Sequence, residues 1–194
     1  MSAEQEELGD LKLYRIPELV TVAAHAQKQV AMIEKREVPF ERVYQADVYA
    51  DNQVLQPEPL QLVLRLKNEK AKRLGIPLPS GGAAVFEPQY DQMLLLGQTQ
   101  LRDTPVGGEV ELKLSASPQI HYLQQVDKGR ATLIVTNANP YPVLVEISFV
   151  NLDGGKLPAA SSKLTRKNGA PFWRVRIGAN KVAKLTYGGQ DGQH

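Results

Sequence analysis

Three histidines, two sets of paired carboxylates and two glycine-rich corners are the places where this 194-residue chain could do chemistry. His25, His121 and His194 are too scattered for a metal spacing such as H-E-x-x-H or H-x₃₋₅-H. His25 and His121 could share a site only if the fold brought them together. Glu41 with Asp47, and Glu109 with Glu111, stand at even spacing and so share strand faces. Glycoside hydrolysis needs two carboxyls ~5 to 9.5 Å apart in a cleft, and strand-face pairs of this kind read as solvated charges. Ser161 and Ser162 lie in a lysine-bearing loop outside any G-x-S-x-G context. Cysteine is absent, which removes disulfides, thiolate nucleophiles and cysteine metal sites. The expected set of catalytic, cofactor-binding and metal-binding residues is therefore empty, with no cofactor.

The corner GIPLPSGGAAVFE, residues 75 to 87, resembles a phosphate-binding loop only in its glycine content. A P-loop places Lys and Ser/Thr directly after its last glycine, at a helix N-terminus. Here Gly82 is followed by Ala83, Ala84, Val85 and Phe86, which reads as a strand. Pro77 and Pro79 fix φ and remove donors, and Gly81-Gly82 are expected to supply positive φ for a turn. TPVGGEVEL at 104–112 reads the same way. Both are mechanical corners.

The elements that must position these residues have a period of two. FERVYQADVY (40–49) alternates, and LQLVLRLKN puts Leu60, Leu62, Leu64 and Leu66 on one face with Gln61, Val63, Arg65 and Lys67 on the other. Further strands read at about 11–16, 19–23, 28–34, 93–99, 109–114, 119–126, 130–137, 143–150, 171–177 and 181–187. AAHAQKQVAMIEKRE (23–37) holds good helix formers, but Val30, Met32 and Ile33 also fit a strand, which is the reading taken. The fold class is all-β, as antiparallel, immunoglobulin-like β-sandwich modules with little or no helix. DNQVLQPEP (51–59), with two prolines, reads as a long connection. Pro140 and Pro142 mark a corner or edge, with a cis bond expected at Tyr141-Pro142.

Charge divides the chain. Residues 1–126 carry 13 Lys/Arg against 17 Asp/Glu, a balance of −4, and residues 127–194 carry 10 against 4, a balance of +6. This suggests an N-terminal module at 10–126 and a smaller one at 127–188, which could also pack as one unit, with disordered tails at 1–9 and 189–194. In FWRVRI, Trp173, Val175 and Ile177 face the core, and Trp173 removes ~200 Å² from water. Phe172, Arg174 and Arg176 face outward and, with Lys163, Arg166, Lys167 and Lys184, form a candidate anion- or partner-binding face. The alternative is a solvated face whose lysines discourage edge pairing. Aromatics at 6% and a net charge of +2 speak against nucleic acid as the partner.

PLPSG before a strand, then LLLGQTQLRDTPVGGEVEL, resembles the bacterial domain of unknown function numbered 4139. LYRIPELVTVAAHAQKQV is similar to that family's entry strands, and VTNANPYPVLVEI with IGANKVAKLTY to its closing ones. The resemblance spans about residues 10 to 188. It implies a β-rich protein of the bacterial cell envelope, periplasmic or otherwise extracytoplasmic, and no catalytic residues. Family members usually carry an export signal and an upstream half with a long helical segment. Against that pattern this chain reads as a fragment or a short relative, and SASPQIHYL departs from the expected glycine-bearing strand. The opening MSAEQEELGD is acidic and polar, so either the protein is cytoplasmic or an export signal has been removed. No apolar run approaches the ~20 residues of a membrane span. The leading expectation is a non-catalytic binding or assembly module that contacts a protein partner or an anionic envelope polymer. The rival is an envelope hydrolase or carbohydrate-binding enzyme with a site assembled from distant loops.

Overall fold

Residues 4–8, 11–15, 33–150, 152, 159–167 and 169–188 are described by the computed structural model. Alternating segments become strands throughout: β1 (Glu4–Leu8), β2 (Leu11–Arg15), β3 (Glu41–Tyr49), β4 (Val54–Lys67), β5 (Gly81–Gln89), β6 (Gln92–Leu101), β7 (Glu109–Asp127), β8 (Arg130–Asn137), β9 (Val143–Val150), β10 (Thr165–Lys167), β11 (Ala170–Ile177) and β12 (Lys181–Gly188). One 3-10 turn, Lys70–Lys72, is the sole helical element among the described residues. The expected strand at 19–23, residues 28–32 of the one expected at 28–34, most of the helix alternative at 23–37, His25, His194 and the tail at 189–194 lie outside the described residues, and residues 33–34 are not strand. The tail expected at 1–9 contains β1, which pairs with β2 from Glu4↔Arg15 to Leu8↔Leu11.

Eight strands join in one sheet in the order β10-β11-β9-β3-β4-β7-β8-β12, and β5-β6 and β1-β2 form two small sheets. Within the large sheet β3 and β9 are parallel and every other described pairing is antiparallel. This is the order of one curled sheet, not of the two facing sheets that an immunoglobulin-like sandwich requires. Nor does sheet membership follow the border drawn at residue 127, which falls in the β7–β8 hairpin. β3 and β4, from the acidic half, lie between β9 and β7.

Connectivity forces the curl. Six strand steps separate β11 from β12, ~29 Å in a flat sheet at ~4.8 Å per step. The link Gly178–Asn180 leaves only about four Cα–Cα intervals from Ile177 to Lys181, at most ~15 Å. The sheet therefore rolls until its far strands meet over a shared core of Val145, Ile147, Phe149, Trp173, Leu133 and Leu185, among others. Trp173, Val175 and Ile177 do face this core. Phe149 meets Tyr187 edge to face at 5.1 Å. Tyr187 Oη donates to buried Gln124 Oε1 at 2.7 Å, and Gln124 Nε2 donates to the carbonyls of Tyr49 (2.8 Å) and Asn52 (2.5 Å). Asn137 Nδ2 ties the roll further, donating to Gly178 O at 2.8 Å and Tyr141 O at 2.9 Å.

Several local expectations are corrected. The run at 51–59 is strand from Val54, because register shifts between Val54 and Glu58 and around Pro59 absorb the prolines. The segments at 109–114 and 119–126 belong to one 19-residue strand, β7. No cis peptide occurs among the described residues, so Tyr141-Pro142 is trans. Gly81 and Gly82 open β5, paired with Leu101 and Gln100, without positive φ. The turning residue in that stretch is Gly75, at φ +70°, where a Cβ would fall 2.6 Å from the Lys70 backbone.

Both glycine-proline corners are held by one fully buried side chain, Asn68. Its Oδ1 accepts from Gly75 N (3.0 Å) and Ile76 N (3.3 Å), and its Nδ2 donates to Ile76 O (2.6 Å), Pro105 O (3.0 Å) and Thr104 O (3.2 Å). Its own N–H donates to Gly108 O and its carbonyl accepts from Gly107 N. The amides of Gly75, Ile76 and Gly107 are thus engaged by an asparagine, and that of Ser80 donates to Asp103 Oδ1 at 2.7 Å, an acid where a phosphate loop would hold its anion.

Candidate functional site

Register builds a charged cluster on the sheet face opposite the shared core. Glu41 on β3, Arg65 on β4 and Glu111 on β7 occupy one row across three neighbouring strands. Two rows along, Glu146 on β9 stands beside Gln45 on β3 and opposite Arg174 on β11. The Arg65 side chain, 11% exposed, bridges the rows and grips Glu146, 1% exposed, in a two-pronged pair at 2.8 and 2.6 Å. Arg65 Nε donates to Glu111 Oε1 at 3.0 Å, Gln45 Nε2 to Glu146 Oε2 at 3.0 Å, and Arg174 Nη2 to Glu41 Oε1 at 2.6 Å. Glu109 lies 3.5 Å from Arg65. Although four strands separate β10 from β7 in the sheet order, Lys167 Nζ reaches Glu111 Oε1 at 2.9 Å, so β10 lies against this face.

Burial alone would raise the Glu146 carboxyl, but hydrogen bonds from Arg65 and Gln45 and the charges of Arg65 and Arg174 hold it below the usual carboxylate range. Burial acts likewise on Glu111, and Lys167 and Arg65 lower it. The Arg65 guanidinium is raised, first by its hydrogen bonds to Glu146. Both carboxyls are held in the charged form, and the bonds they accept tie β3, β4 and β9 together and link β4 and β10 to β7.

The seven residues of the expected basic face meet different fates. Lys167 and Arg174 enter the network just described. Arg166 donates to Gly169 O within its own hairpin at 2.6 Å. Phe172, expected to be exposed, is 7% exposed. Arg176 is exposed on β11 opposite Leu144, and Lys163 is exposed in the loop before β10. Lys184 stands on β12 opposite Ile134, at the other end of the strand order. Glu41, Glu109 and Glu111, read as solvated, are paired with Arg65, while Asp47 remains exposed. The network itself was missed, though it left a signal. Glu146 is the one charge in VLVEISFV, and a carboxylate in so apolar a strand must find a partner.

Beside the network runs a polar cleft of about 600 Å³, bounded by Gln100 and Arg102 of the β6 end, Glu109, Glu111 and Lys113 of β7, and Lys167. His121 lies on the distal half of β7 and does not line it. Among the described residues no group of three or more His, Asp or Glu is placed to hold a metal ion. No helix among them is long and apolar enough to cross a membrane.

The second notable surface is the β5–β6 hairpin. Its odd-numbered β5 residues turn inward: Glu87 accepts from Arg42 Nη2 at 2.8 Å, and Gly97, paired with Val85, lies against Leu114. A Cβ on Gly97 would sit 3.5 Å from Leu114, an ordinary contact distance, so the hairpin lies close against β7 here. The opposite face therefore points to solvent, with Phe86 51%, Met93 63% and Leu95 50% exposed, and Tyr90 at the tip 95% exposed. Sequence alternation here runs inside out, aromatic outward and carboxylate inward.

No protein-family model and no characterised protein sequence matches the chain. Among solved structures it is similar to the NMR structure of the folded domain of the Mycobacterium tuberculosis LppM protein, at 8% identity and a TM-score of 0.29, over 84% of this chain and 94% of that one. A TM-score of that size does not establish a shared fold.

Proposed function

We propose that the chain is a non-catalytic binding or assembly module of a bacterial cell envelope whose ligand is another protein. One observation carries this reading: the charged groups of the sheet face satisfy one another, while a hairpin anchored by Arg42–Glu87 holds large apolar side chains in water. Exposed, uncharged surface of this kind marks interaction sites. The extracytoplasmic placement is supported by the resemblance of the PLPSG, VGGEVEL and VTNANPYPVLVEI stretches to the domain of unknown function numbered 4139. The polar cleft beside Glu109 and Glu111 favours one second reading, carbohydrate binding, in which Gln100, Arg102 and Lys113 would supply the donors.

Pull-down from native envelope extract, comparing wild type with Met93→Glu and with Arg174→Glu/Arg176→Glu, tests the proposal. Loss of a protein partner with Met93→Glu supports it. Retention of every partner by Met93→Glu overturns the hairpin as the contact, and glycan recovered in place of protein overturns the proposal in favour of the cleft.

A further inference from the structure

We propose that the outward face of the β5–β6 hairpin is a self-association surface whose occupant is a second copy of this chain, packed face to face about a two-fold axis. The inference rests on the binding-module reading and names one partner for it. A two-stranded sheet is marginal alone in water, and one with an apolar face is stabilised when a further layer covers that face. The body of the protein meets the inner face through Leu114 and Arg42, leaving Leu94 there 43% exposed, and the larger exposures of Phe86, Met93 and Leu95 fall on the outer face.

The chemistry of that face selects among occupants. Register places Ala84, Phe86 and Pro88 of β5 with Met93, Leu95 and Gln98 of β6 on it, and none is charged. From Leu74 to Leu101 the chain contains no Lys, Arg or His, and its acids are Glu87, turned inward to Arg42, and Asp91 at the tip. An anionic lipid surface therefore gains no electrostatic attraction from the hairpin. Tip-first insertion into a bilayer would also carry Gln89, Asp91 and Gln92 in beside Tyr90, ahead of the apolar band. Contact must be sideways, and an uncharged face meets its own copy without bringing like charges together, as an isologous dimer requires. Pro88 lacks an amide donor on β5, which disfavours edge-to-edge strand addition and favours face packing.

The exposed face is on the order of 500 Å² per copy, so a dimer removes ~1,000 Å², the low end for a specific interface. A contact of this size belongs with weak, transient associations, and the concentration range below is set for a dissociation constant of ~10 to 100 µM.

Sedimentation velocity of the purified chain from ~5 to 500 µM, a range set by that estimate, reads the association. Wild type is expected to move from monomer to dimer, Met93→Glu/Leu95→Glu to stay monomeric, and Gln92→Glu, on the inner face, to dimerise like wild type. Circular dichroism confirms that the variants fold. Because the chain has no cysteine, Met93→Cys supplies a second readout: mild oxidation with copper phenanthroline should cross-link it faster than Gln92→Cys. A wild type monomeric across the range, a dimer untouched by Met93→Glu/Leu95→Glu, or binding of the monomer to neutral phosphatidylcholine vesicles that the same variant abolishes would each overturn the proposal. A monomeric result leaves the pull-down partner untouched, so the two readings fail separately.

Discussion

The face around Arg65 and the outer face of the β5–β6 hairpin are opposites. One gathers charge into a sheet and neutralises it: Arg65, Lys167 and Arg174 answer Glu41, Glu109, Glu111 and Glu146. The other carries Phe86, Met93 and Leu95 with no charge and leaves them in water. Pairing, more than burial, separates their roles: Arg174 and Glu41 are 45% and 43% exposed but partnered, and Leu95 is 50% exposed. Charges that are partnered within the chain hold it together, while apolar groups left exposed among the described residues are available to a partner outside.

The sharpest way to break the comparison is to remove one member of the buried pair. Arg65→Met strands the Glu146 carboxylate and should lower stability by about 3 to 5 kcal/mol, measured by urea unfolding, whereas Arg65→Met/Glu146→Leu should recover most of that loss. Equal instability of single and double variants would show that the network does not hold the face. Asn68→Ala removes the hub of both glycine-proline corners and should cost about 2 to 4 kcal/mol, by the same measurement.

Acid titration sharpens the contrast from the charged side. Glu146 and Glu111 have folded pKa values below their unfolded ones. Their stabilisation is therefore fully present above the unfolded carboxylate value of ~4.3 and is lost as pH falls through the folded values. Thermal melts should hold steady from neutral pH to about pH 5 and fall below that, with a shallower fall in Glu146→Gln. Smallest of all should be the effect of Met93→Glu or Leu95→Glu on folding, within about 0.5 kcal/mol, because these side chains are already hydrated. A larger loss in a melt would mean that the hairpin face packs within its own chain.

Much of the strand content was legible because alternation needs only local sequence. FERVYQADVY and KVAKLTYG carry their periods openly, and β3 and β12 form there. The curl was not legible, because it follows from which strands become neighbours, and nothing local says that β3 pairs in parallel with β9. The same fact bears on the charge division. An acidic half and a basic half suggested two units, yet interleaving places Arg174 beside Glu41 and Lys167 beside Glu111, so the asymmetry joins the halves. Prolines misled around Pro57 and Pro59 because bulges, which have no sequence period, carry β4 through them. The hairpin face was hidden for another reason. Phe86 beside Glu87 looks like ordinary alternation until Arg42 shows which side is inward.

The central claim is that contact with partners is made by the hairpin and not by the cations of β11. Photo-cross-linking with a benzophenone amino acid at Phe86 and, in parallel, at Arg176 in living cells tests it most directly. The account predicts discrete protein adducts, including the chain's own dimer, from position 86 and none from position 176. Adducts from position 176 with a silent position 86 would contradict it.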